Sequence, residues 1–198
     1  MDYLVIIFSL VFVQNFVLSQ FIGMCPFFGV SKKRSSAIGM GLAVVFVMAL
    51  TSLATMAFYR LALKPYGMEN YLRILVFILL IAALVQFVEM AMRKITPALY
   101  KALGIYLPLN TTNCAVLAAA EINVIKFADD PSFMVCMLKS LLLGAFGGVG
   151  FMLAMVLMSG VRERLESAPV PAAFKGMPIA FISASCMALS FMAFAGFI

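Results

Sequence analysis

Six apolar runs, interrupted by short polar or proline-containing connectors, dominate the pattern of hydrophobic and polar positions. A helix crosses the hydrocarbon core of a bilayer with about 20 mostly apolar residues. The runs predict spans at Tyr3–Phe28, Ile38–Tyr59, Tyr71–Met92, Tyr100–Ile125, Phe133–Val161 and Met177–Phe197. Connectors such as Lys64-Pro65-Tyr66-Gly67 and Ala168-Pro169-Val170-Pro171 are too short to fold alone. Two runs carry a disruption of their own. The first holds Gly23-Met-Cys25-Pro-Phe-Phe-Gly29, and the fourth holds Leu107-Pro-Leu-Asn-Thr-Thr-Asn-Cys114. Irregular backbone survives at membrane depth only where protein or a cavity covers it. Paired interruptions in corresponding halves of a chain point to a functional site.

Composition agrees with the pattern. Of 198 residues 65% are hydrophobic and 11% charged, against about half and a quarter in soluble domains. The mean hydropathy is +1.13. One integral membrane domain over residues 1–198 is expected, with no separate soluble part. The first run is too long for a signal-peptide core and lacks a basic flank, Asp2 being its only flanking charge, so it reads as a retained span.

The formal charge of +6 is parcelled into short clusters between apolar runs, which is membrane topology and not nucleic-acid binding. Connectors one, three and five hold Lys32, Lys33, Arg34, Arg93, Lys94, Lys101, Arg162, Arg164 and Lys175. Connectors two and four and the adjoining span edges hold Arg60, Lys64, Arg73, Lys126 and Lys139. Nine against five puts the first set in the cytoplasm and both termini outside. Gly39-Met-Gly41-Leu-Ala and Gly148-Val-Gly150-Phe-Met open similar stretches, each following a cysteine break. Three spans per unit would invert one copy relative to the other. The expected fold is therefore an all-α membrane protein. Its six transmembrane helices form two inverted three-helix repeats, about 1–95 and about 96–198, with broken first and fourth segments. Gly-x-Gly has a plainer use in membrane helices, which is close packing.

The absence of histidine excludes His-held haem, His-containing zinc sites and a histidine-activated nucleophile. No CxxC pair occurs. Cys136 and Cys186 sit in uninterrupted apolar patterns and read as packing residues. Cys25 and Cys114 sit at the breaks. An iron–sulfur cluster, a metal thiolate site and a disulfide are all open to them. A [2Fe–2S] cluster takes four cysteines, so two in one chain are too few for it unless a homologous partner gives two more. Depth is a constraint: a straight helix from Tyr3 would carry Cys25 to its far end, and only a discontinuous segment returns it to the centre.

Glu89 is the main ionisable candidate within a span, although Arg93 one turn on offers an interfacial pair. Glu121, with Lys126 nearby, reads as solvated at the interface. Asn110, Thr111, Thr112 and Asn113 can satisfy freed backbone groups or line a cation path. Arg162-Glu163-Arg164 reads as a solvated cap. The 16 methionines and 19 phenylalanines read as packing and lipid-facing residues, not as a cofactor box.

Four segments carry a family resemblance: Gly23–Lys33, Gln86-Phe-Val-Glu-Met90, Leu103–Leu117 and Val161-Arg-Glu-Arg-Leu165. They closely resemble one family of membrane subunits with two branches. These are the A-type subunits of the Rnf ion-translocating electron-transport complex and the E-type subunits of the sodium-pumping NADH:quinone reductase. Pro26 and Thr112 look like the Rnf branch, where the other would have Thr and Val. Asn110 departs from the Ile expected in either. The resemblance implies six spans in inverted repeats and a homologous E-type partner of opposite topology. It implies further Rnf subunits (B, C, D and G) and a place in the bacterial cytoplasmic (inner) membrane. It also implies a [2Fe–2S] cluster held by Cys25, Cys114 and two partner cysteines, with electron transfer between ferredoxin and NAD coupled to Na⁺ or H⁺ movement. Cations would pass Asn113, Thr111, Thr112 and Glu89. A secondary ion transporter and a structural scaffold are the competing readings from the residues alone, since broken helices in inverted repeats suit transport too.

Overall fold

A computed structural model describes residues 9–13, 15–63, 69–95, 113–127, 132–171 and 174–193, and these are helical apart from short connections. The α-helices are α1 (Met24–Val30), α2 (Arg34–Phe58), α3 (Glu69–Ile95), α4 (Cys114–Phe127), α5 (Phe133–Glu166) and α6 (Met177–Met192). A π-helical turn at Ser9–Val13 precedes α1, and another at Tyr59–Leu63 prolongs α2. Among the described residues three stretches are long and apolar enough to cross a membrane: Arg34–Leu63, Leu72–Met90 and Phe133–Glu166. They correspond to the second, third and fifth predicted spans. The sixth is the shorter α6, and of the fourth only the part from Asn113 onward lies within the described residues.

The first predicted span is not one helix. The break begins at Asn15, well before Gly23-Met-Cys25, and the chain turns through Phe16–Gln20. Asn15 organises the turn. Its Oδ1 accepts the Val17 and Leu18 N–H groups at 3.0 and 3.3 Å. Its Nδ2 donates to Val11 O and, across the molecule, to Gly150 O at 2.8 Å. Phe21 and Gly23 then take positive φ, and α1 starts. Pro26 does not disrupt this helix. It lies in the first turn, where an N–H has no intrahelical partner to lose.

Helices α2 and α5 form an antiparallel pair at the centre, and small residues set their separation. A Cβ on Gly148 would lie 2.7 Å from Val45 Cα, one on Gly41 2.5 Å from Met152 Cγ, and one on Gly144 2.7 Å from Met48 O. The close-packing use of these glycines is thus realised. Their two stretches differ in surroundings, however, for Gly39 has nothing within 4 Å. An Arg34–Glu163 ion pair of 2.6 Å closes one end of the α2–α5 pair. Helix α3 turns Ile74, Leu75, Ile78 and Leu79 outward, which makes an apolar surface suited to acyl chains.

Candidate functional site

The two interruptions meet. A Cβ on Gly23 would stand 2.9 Å from Asn113 Oδ1, 2.9 Å from Phe151 Cε2 and 3.1 Å from Ala115 Cβ. Gly23 has φ +82°, so both its conformation and its neighbours require glycine. Phe151 lies near the middle of the 34-residue α5, with 18 residues before it and 15 after. The junction therefore falls at mid-bundle, about 22–27 Å from either end of that helix. From there α1 and α4 diverge. Arg162 Nη1 donates to Phe28 O at 2.7 Å and to Ser31 Oγ at 3.0 Å, which carries α1 to the Arg34–Glu163 end. Phe127 O accepts from Cys136 Sγ at 3.2 Å, which carries α4 to the opposite end. The discontinuous first segment required for a central Cys25 is present.

Cys25 and Cys114 occupy the opening turns of α1 and α4, and both are exposed. Their exposure follows from what each helix buries. Helix α1 sinks Pro26, Phe27, Phe28 and Val30, leaving Cys25 and Gly29 on the outer face. Helix α4 sinks Ala115, Val116, Ala119, Ala120, Asn123 and Val124, leaving Cys114 and Ile125 outside. Asn113 is buried; its Oδ1 accepts the Ala115 N–H at 3.1 Å, and its Nδ2 has no partner among the described residues. No disulfide joins any two of the four cysteines. Among the described residues no three His, Cys, Asp or Glu side chains gather, so they hold no complete metal centre.

Other candidates fare differently. Cys136 is buried in the core as expected, whereas Cys186 is exposed on α6 and packs no core. Glu121 is not left to the interface: Arg73 reaches it across helices at 2.8 Å, with both side chains mostly covered. Arg162 is no solvated cap, since it fastens α1 to α5. Glu89 is half-buried on α3, 16 residues and about 24 Å beyond Arg73. Asn110, Thr111, Thr112 and the side chain of Arg93 lie outside the described residues. Sequence reasoning missed Asn15. The polar pair Gln14-Asn15 inside an apolar run was its signal.

Comparison with known proteins settles the family. Residues 3–198 match the Rnf-Nqr family, described as "Rnf-Nqr subunit, membrane protein". The chain belongs to the Rnf-Nqr family of membrane subunits. A relative from Syntrophotalea carbinolica, named as the A-type subunit of an ion-translocating oxidoreductase complex, is 51% identical over 98% of this chain and 97% of its own length. One from Acetobacterium woodii, named as the A-type subunit of a Na(+)-translocating ferredoxin:NAD(+) oxidoreductase complex, is 49% identical over 99% and 98%. A third, from Vibrio cholerae and named like the first, is 47% identical over 100% and 98%. In this Rnf-Nqr chain Gly23 and Asn113, from two of the segments that carry the resemblance, meet at mid-bundle.

Proposed function

We propose that the chain is the A-type membrane subunit of an Rnf complex. In this reading it passes electrons across the bilayer between ferredoxin and NAD chemistry, coupled to Na⁺ or H⁺ movement. Cys25 and Cys114 would hold half of a [2Fe–2S] cluster, and two cysteines of a homologous E-type partner would complete it. The observation that carries this reading is the junction of Gly23 with Asn113, with an exposed thiol just beyond each side.

The residues fit the group. Thiolates are its ligands, two from each chain make four, and only outward thiols can be shared with a second chain. The cluster would supply one-electron redox chemistry between the two membrane faces. This chain's residues do the rest. Pro26, Phe27 and Phe28 anchor α1 so that Cys25 faces out, and Asn113 caps the first turn of α4 so that Cys114 does. The 14-residue α4 directs its positive end at the junction, which favours the negative charge of a bound cluster there. Helices α1 and α4 leave the junction in opposite directions, as two inverted three-span repeats would arrange them. A change of charge in such a low-dielectric site favours movement of a compensating cation. Asn113, Thr111, Thr112 and Glu89 are the proposed groups on its way.

The test is electron paramagnetic resonance on the purified complex. Cys25→Ser and Cys114→Ser should each abolish the [2Fe–2S] signal and electron flow, while Cys136→Ser and Cys186→Ser keep both. A normal signal in the first two variants would overturn the assignment.

A further inference from the structure

Asn123 is fully buried in the middle of α4, yet neither its Oδ1 nor its Nδ2 has a hydrogen-bond partner among the described residues. Ser52 Oγ, on α2, is buried and without a partner in the same way. Each such group costs about 1–3 kcal/mol unless something satisfies it, and lipid offers nothing. The helix register places the two at one level of the bundle. Cys136 Sγ bonds Phe127 O, and Lys139 Nζ lies 5.7 Å from the Phe127 ring centre, so Phe127 is level with the opening of α5. Helices α4 and α5 run in opposite senses there. One turn back along α4 is Asn123 and one turn on along α5 is Ser140, so these two share a level. Cys136 and Ser140 are buried on one face of α5, and Ser140 Oγ donates to Ser52 O at 2.8 Å.

We propose that Asn123, Ser52 and Ser140 form a buried site for a partly dehydrated alkali cation between the thiol junction and the Phe127–Cys136 end. The donors are all hard oxygens: Asn123 Oδ1, the two hydroxyls and the Ser52 carbonyl. Glu121, the carboxylate two residues from Asn123, is held by Arg73 and not free to join them. A neutral cage suits a single positive charge and not a divalent ion. Asn123 Nδ2 needs an acceptor, which one retained water supplies while its other lone pair faces the cation. Asn113, buried just before α4, and Asn123, on the buried face of α4, are ten residues and about 15 Å apart, with the small Ala119 and Ala120 between. The site therefore stands in line with the junction. The choice of an alkali cation over water alone rests on the proposed cation coupling.

The experiment is thermal unfolding of the purified complex in NaCl against choline chloride at equal ionic strength, with the [2Fe–2S] signal recorded for every variant. Ligand binding to the folded state raises the melting temperature. The wild-type complex should melt higher in Na⁺. Asn123→Leu and Ser52→Ala should each lose at least half of that rise, and Cys186→Ser, at an exposed position of α6, should keep it. In choline, Asn123→Leu should melt no lower than wild type, because its unsatisfied groups are gone. A full Na⁺ rise in both site variants, or none in wild type, overturns the site. If Asn123→Leu does not assemble, Ser52→Ala with an intact iron signal decides. A wild-type complex that shows the iron signal but no Na⁺ effect refutes this site alone, whereas one lacking the iron signal refutes the cluster reading.

Discussion

Gly23 and Asn113 show how much one position can decide. A side chain at Gly23 would be strained by φ +82° and would also press on Asn113 and Phe151. Gly23→Ala is therefore expected to destabilise the complex by roughly 1–3 kcal/mol, the cost of an ordinary residue held in such a region. Gly39, helical and with nothing within 4 Å, is the control, and Gly39→Ala should be neutral or stabilise slightly. Apparent melting temperatures of the two variants check both expectations, and equal values would remove the special role of Gly23. The amide of Asn113 reaches the junction with one nitrogen to spare among the described residues, and the proposed cation path passes it. Asn113→Ala should weaken the Na⁺ dependence of electron transfer while the [2Fe–2S] signal persists. Turnover against Na⁺ concentration, with iron content measured alongside, tests this; unaltered dependence would reduce Asn113 to a helix cap.

At the scale of elements, the α2–α5 pair is the frame on which the broken segments hang. At one close approach a Gly148 Cβ would lie 2.7 Å from the backbone of Val45, which no rotamer change can relieve. Gly148→Leu should thus cost at least the roughly 1–3 kcal/mol typical of overpacking, and detergent-solubilised protein should be lost from the monodisperse peak in size-exclusion chromatography. A variant that elutes and melts like wild type would show that the pair can spread. The long helices were legible in the sequence because apolar length and flanking charge define a span locally. The place of Cys25 and Cys114 at helix starts was legible because breaks in apolar runs are rare. The start of the first break was not, because Asn15 is fixed by the Gly150 carbonyl 135 positions away. Nor was the Glu121–Arg73 pair, for Lys126 is the nearer cation in sequence while the α3–α4 contact supplies the nearer one in space. Asn123 drew no notice for the same reason. One Asn in an apolar helix is unremarkable until its neighbours are known.

At the scale of the whole molecule, charge and geometry bear independently on orientation. Lys32, Lys33, Arg34, Arg162, Arg164 and Lys175 all belong to the connectors expected in the cytoplasm. The fold gathers this set at one end: Arg34 pairs with Glu163, Arg162 holds Phe28 and Ser31, and Lys32, Arg162 and Lys175 line one 300 Å³ cavity. A cluster of basic residues at a single end of a bundle is what the positive-inside rule demands of the cytoplasmic face. Helix α6 begins there, with Phe181 4.3 Å from Phe28 by ring centres, and leads away to Phe191 stacked on Phe12 at 6.4 Å. Phe12 adjoins Val11, which packs on Gly150 at mid-bundle, so α6 heads from the basic end towards the other face. With the basic end in the cytoplasm, the expected place of the C-terminus is outside the cell. Reporter fusions after Lys33, Lys101 and Lys175 should therefore read cytoplasm, and fusions near Pro65 and Asp130 should read outside. The C-terminal fusion is the sharpest of these, because an error of one span reverses it. If it reports cytoplasm, the six-span, termini-out model fails.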